Sequence, residues 1–61
     1  MEILAYSPSE LAAAMDVSRP TVYRWMRLPD FPVVRLGGLS RIPADAFKLW
    51  LNNQVEVKKG V

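Results

Sequence analysis

"SPSELAAAMDVSRPTVYRWMRLP", residues 7–29, decides the fold of this chain. Ser7 reads as an N-cap, Pro8 as the first helical residue and Glu10 as the third, which completes a capping box. A first helix is therefore expected from Pro8 to about Met15, with Leu11, Ala12 and Met15 on its buried side. The run Ala12–Ala14 lets another helix approach closely, and Tyr6 is placed to staple against Leu11. Asp16 interrupts, being one of the few non-glycine residues that tolerate a left-handed backbone. Ser18 then reads as the cap of a second helix, with Pro20 in its first turn, where a missing N–H is harmless. That helix should end near Arg27 or Leu28, because Pro29 disfavours helical geometry before it. Two helices joined by so short a turn form a helix-turn-helix.

On a helical wheel the second segment divides cleanly. Val22, Trp25 and Met26 fall on one side, Pro20, Arg24 and Arg27 on the other, and Thr21 and Tyr23 flank the second group. The expectation is that the tryptophan is core and the arginines are displayed.

Downstream, "FPVVRLGGLSRIP" (31–43) has apolar and β-branched residues on both sides of Gly37-Gly38, which marks a hairpin. A strict two-residue turn would pair Leu36 with Leu39 and put Arg41 on the face of Leu36. A three-residue loop, Gly37 to Leu39, would pair Leu36 with Ser40 and Val34 with Ile42, leaving Arg35 and Arg41 together on an outward face. The second register gives the cleaner inner face and is the one expected. After Pro43, "ADAFKLWLNN" has Ala46, Phe47, Trp50 and Leu51 at the spacing of an amphipathic third helix, with Asp45 near its positive end. The fold class expected is mainly α with a small β-hairpin: a winged helix-turn-helix over residues 1–53, then a flexible tail over 54–61, "QVEVKKGV".

The chain has 61 residues and neither cysteine nor histidine. Chains of this size bury only about 60% of the surface their unfolded form exposes, so the core is small and no disulfide supports it. The lack of cysteine fits a reducing cytoplasm, no apolar run reaches the length of a membrane span, and the opening "MEILAYSPSE" does not read as a secretory signal. Net charge is only +2, but Arg19, Arg24, Arg27, Arg35 and Arg41 face a single acid, Asp30, between positions 19 and 41. So polarised a distribution suits a polyanion.

Catalysis has little to work with. Metal chemistry lacks its usual ligands, and the carboxylates are scattered singly. Ser7, Ser9, Ser18 and Ser40 have no histidine to activate them, and Ser7 and Ser18 are already explained as caps. Asp30 and Asp45 stand in turn and helix-start contexts, and "LGGL" lacks the rest of a phosphate-binding loop. Neither enzyme activity, cofactor nor metal is expected.

Double-stranded DNA is the expected partner. A helix-turn-helix lays its second helix in the major groove, and here that helix offers Arg19, Pro20 and Thr21 at its start, then Tyr23, Arg24 and Arg27. Arg24 is the candidate for base contact, since arginine grips the O6 and N7 of guanine in a bidentate way. Thr21 and Tyr23 are candidates for phosphate oxygens. Arg35, Gly37, Gly38 and Arg41 complete the set on the hairpin, while Lys48, Lys58 and Lys59 read as solvated lysines.

"YSPSELAAAMDVSRPTVYRWMR" with "PVVRLGGLSRIPADAFKLWL" resembles the small winged helix-turn-helix proteins of the MerR-like superfamily, in particular its excisionase-like and AlpA-like group from phages and other mobile elements. The likeness covers residues 6–51 and is carried by "VSRPTVYRW", "RLGG" with "RIP", and "DAFKLWL". It implies a recognition helix at about 19–27 and a wing at 34–42 whose arginines approach the minor groove or backbone. Asp16 stands where such proteins often have glycine. The resemblance also implies an excisionase that bends attachment-site DNA for a site-specific recombinase, often as several cooperating copies, or a small transcriptional regulator. The long dimerisation helix and effector domain of MerR regulators are not expected here, nor is a small-molecule effector. A protein-interaction module with an acidic partner is the reading from another class.

Overall fold

The structure is a computed structural model and describes residues 3–55. Its elements in chain order are β1 (Ala5–Tyr6), α1 (Pro8–Met15), α2 (Arg19–Trp25), β2 (Val34–Leu36), β3 (Leu39–Pro43) and α3 (Ala44–Asn53). The result is a winged helix-turn-helix: three helices with a small antiparallel sheet of order β1-β3-β2.

α1 begins as its sequence dictates. The Ser7 hydroxyl accepts from the Glu10 backbone N–H at 3.1 Å, and the Glu10 carboxylate accepts from the Ser7 N–H at 2.9 Å. It ends on Asp16, which adopts φ 56°, the left-handed conformation. The Asp16 N–H then reaches the Ala13 carbonyl and the Val17 N–H the Ala12 carbonyl at 2.9 Å. This double closure satisfies the carbonyls of Ala12 and Ala13 near the end of α1, and its i→i−5 bond reverses the chain. Asp16 thus takes a conformation that glycine adopts freely, and Val17 is delivered onto the core.

α2 departs from expectation at both ends. Ser18 stands at the N-cap, but its side chain caps nothing and instead bonds the Thr21 hydroxyl at 3.0 Å. The helix stops at Trp25 rather than near Arg27 or Leu28. Beyond it, Arg27 and Leu28 donate to the carbonyls of Arg24 and Trp25, three residues back. That tightened turn leads into a further turn closed by Phe31 N–H on Leu28 C=O at 3.2 Å, with Pro29 and Asp30 at its centre, residue types that favour such turns.

The hairpin takes the two-residue turn, which corrects the register expected from sequence. Leu36 pairs with Leu39, Arg35 with Ser40 and Val34 with Arg41. Gly37 and Gly38 have φ 54° and 90°, and two consecutive positive φ angles make the tight turn whose twist matches the strands it joins. A clean inner face had favoured the longer loop, but β2 is exposed along its whole length, so there is no inner face there to protect. The consequence is that Arg35 and Arg41 lie on opposite faces of the hairpin. Arg35 shares a face with Ser40 and Ile42, whereas Arg41 shares one with Val34, Leu36 and Leu39.

β1 was not expected. It pairs Tyr6 with Ile42 and Ala5 with Pro43, and the Ala44 N–H at the start of α3 donates to the Leu4 carbonyl at 2.9 Å. The wing is therefore bound at its base along the β3 side by the segment Leu4–Tyr6. Around that base lies the core of Leu11, Ala12, Val22, Phe31, Ile42, Phe47 and Trp50. Its centre is aromatic: the ring of Phe31 meets Trp50 at 4.8 Å and Phe47 at 5.9 Å between centroids, both edge-on, and Trp25 lies 5.9 Å from Trp50. Trp25 packs against the core as expected but is half-buried, and Leu51 is exposed rather than on the inner side of α3. Gln54 and Val55 continue the chain in turn-like hydrogen bonds to Leu51 and Asn52. The rest of the expected tail, with Lys58 and Lys59, lies outside the described residues.

Candidate nucleic-acid interface

α2 is fixed by what it buries. Val22 is fully enclosed, and Trp25 and Met26 pack against the core on either side of it. With those three directions occupied, 100° per residue turns Pro20, Tyr23 and Arg24 outward. All three are exposed, Tyr23 to 50%, and so are Arg19 and Arg27. Arg27 projects from the turn after α2 rather than from the helix. Thr21 is half-buried with its hydroxyl held by Ser18, which leaves it less available than its neighbours.

The wing is built differently. Arg35 donates from its guanidinium to the Ser40 hydroxyl across the strand pair at 3.0 Å. Arg41, half-buried, donates to the Ser40 carbonyl at 2.8 Å. Each bond uses one of the five N–H donors of a guanidinium and leaves the remainder free of that contact. Ser40 thereby steadies both arginines while they point to opposite sides, an arrangement the sequence reading missed. The residue between two arginine-bearing positions and its partner across the strand were the available signals, but they are informative only once the register is known. Gly37 and Gly38 stand at the exposed tip, and a side chain added at either would meet no atom within 4 Å.

Two further features bear on the site. Phe31 was not singled out from sequence, yet it fills the space among Trp25, Phe47 and Trp50 and so supports the buried side of α2. An aromatic residue between two prolines, directly after a turn, was the signal for it. Among the described residues no cluster of three or more His, Cys, Asp or Glu is arranged to hold a metal ion. None of the described helices is long and apolar enough to cross a membrane.

The fold and this surface define a class, the winged helix-turn-helix DNA-binding domains. A helix-turn-helix domain family matches residues 5–55, nearly all of the chain, and the protein belongs to that family of small DNA-binding proteins. No curated protein and no solved structure matches it.

Proposed function

We propose that the chain is a sequence-specific DNA-binding protein of the excisionase-like group in the MerR-like superfamily, serving a site-specific recombinase as its directionality factor. It binds and bends attachment-site DNA so that the recombinase excises rather than integrates, and catalyses nothing itself. The observation that carries this reading is the joint display of two basic elements: the outer side of α2, with Arg24 at its centre, and a wing whose segment 31–44 contains two arginines and no acid. Arg24 reads base edges in the major groove, Pro20 and Tyr23 pack along its wall, and Arg19 and Arg27 reach phosphates. Arg35 and Arg41, on opposite faces of the wing, engage the two strands that border one minor groove. Such contacts fix register on the duplex and make affinity fall steeply with salt.

The test is a recombination reaction with attachment-site DNA, the cognate integrase and this protein added or withheld. Excision should depend on the protein. Equal excision in both arms refutes the recombination role, and a change in transcription from the element's own promoters under the same addition identifies a regulator instead.

A further inference from the structure

The outer face of the wing is apolar where the DNA-binding reading alone needs only charge. Leu36 and Leu39 are paired directly across the Gly37-Gly38 turn and are exposed to 61% and 56%. In such pairs the Cβ atoms lie about 5 Å apart, so the two side chains form one continuous ridge at the tip. Val34 extends it along β2 and Arg41 borders it, while Arg35 stands on the opposite face. Neither leucine serves the core, whose contact with the sheet is through Ile42 and Tyr6 on the other face. Leu36 on the edge strand β2 and Leu39 beside the turn are exposed apolar groups, which invite aggregation unless they have a use.

We propose that Leu36 and Leu39 form a wedge that enters the minor groove and partly unstacks one base step, so that the bend in the DNA is made at the wing. This rests on the DNA-binding reading and deepens it. Charge fixes the occupant: the ridge is bordered by Arg41 and backed by Arg35, and no acid lies anywhere in the segment 31–44, so a polyanion is drawn to it. Apolar side chains inserted between base steps kink a duplex toward the major groove and let it wrap more protein surface. The shape suits the task, because two glycines with no atom within 4 Å of their added side chains leave the tip thin enough to enter a groove. The backbone pairing of Leu36 with Leu39 holds the ridge rigid as it does so.

The experiment uses the full chain and a duplex that the wild-type protein selects from a random-sequence pool, with 2-aminopurine placed in turn at each step beneath the wing and dyes at the two ends. Wild-type protein should raise 2-aminopurine fluorescence at one step and bring the ends closer. Leu36→Thr/Leu39→Thr keeps strand preference and changes only exposed positions. It should fold normally by circular dichroism, lose both signals, bind about tenfold more weakly, and keep the salt dependence of the wild type. Retained fluorescence and bend in this variant overturn the wedge while leaving DNA binding intact. Loss of self-association in the absence of DNA, with the bend unchanged, overturns it in favour of a contact between copies. Failure of the wild-type protein to select any duplex overturns the DNA reading as a whole.

Discussion

α2 and the wing both present arginines, but they are held in different ways. α2 has its inner side sunk in the core through Val22, Trp25 and Met26, so the directions of Tyr23 and Arg24 are set by helical geometry and cannot vary without disturbing the core. The wing is anchored at its base by the β1–β3 pairing and by Ile42, and from Leu36 to Leu39 its residues are exposed. A rigidly held helix and a projecting hairpin suit different tasks. Base recognition needs side chains placed within a fraction of an ångström, whereas backbone contact and groove insertion tolerate adjustment of the whole hairpin.

The comparison predicts that the largest effects belong to the support of α2. Trp50→Ala removes the ring that joins Phe31, Phe47 and Trp25, and should cost about 3 to 5 kcal/mol, enough to leave so small a domain largely unfolded in urea titration at room temperature. Trp50→Phe should cost much less. Among the described residues the buried indole Nε1 of Trp50 has no hydrogen-bond partner, and removing an unsatisfied donor returns about 1 to 3 kcal/mol against the reduced ring volume. Equal losses for the two variants would show that the core requires the indole itself and that a smaller aromatic ring restores nothing.

Next in size, Arg24→Ala should leave folding unchanged, lower binding to a selected site by about 1 to 3 kcal/mol and relax preference at a single base pair. Arg35→Ala and Arg41→Ala should act in the other manner, weakening binding to all sequences alike and reducing the slope of log K against log salt by roughly one for each phosphate that is no longer neutralised. Were Arg24→Ala to behave as the wing variants do, the division between reader and clamp would fail. Gel-shift titration of specific and random duplexes across salt concentrations measures both.

The smallest effects separate the two helix starts. Ser7→Ala breaks a reciprocal capping box and should lower stability by about 1 kcal/mol. Ser18→Ala removes only a bond between two hydroxyls at the exposed end of α2, and should lower it by about half a kcal/mol or less. Thermal unfolding of the two variants side by side decides the matter.

These starts also show where sequence is a sufficient guide. For α1 the local signals, Ser7, Pro8, Glu10 and Asp16, each act within a few residues, and every one of them operates as read. Ser18 has the same chemistry, but without an acid at its third position there is no reciprocal partner, and its hydroxyl turns to Thr21. Phe31 and β1 escaped the reading because their roles depend on residues remote in sequence: Phe31 on Trp50, and Tyr6 on Ile42. The exposed side of α2 was legible because a helix of known period with Val22, Trp25 and Met26 inward leaves only one outward side.

What the sequence determined by itself is what short-range chemistry governs: three helices near their observed places, the left-handed turn at Asp16, a hairpin centred on Gly37-Gly38, and an arginine-rich middle. The tertiary structure alone decided which faces of the hairpin the arginines occupy. A shift of one residue in pairing exchanges every side chain between the faces of a strand, and the cost of each choice depends on how far the core reaches beneath it. Here the core ends at Ile42, so the geometry of two glycines overruled the pattern of apolar residues.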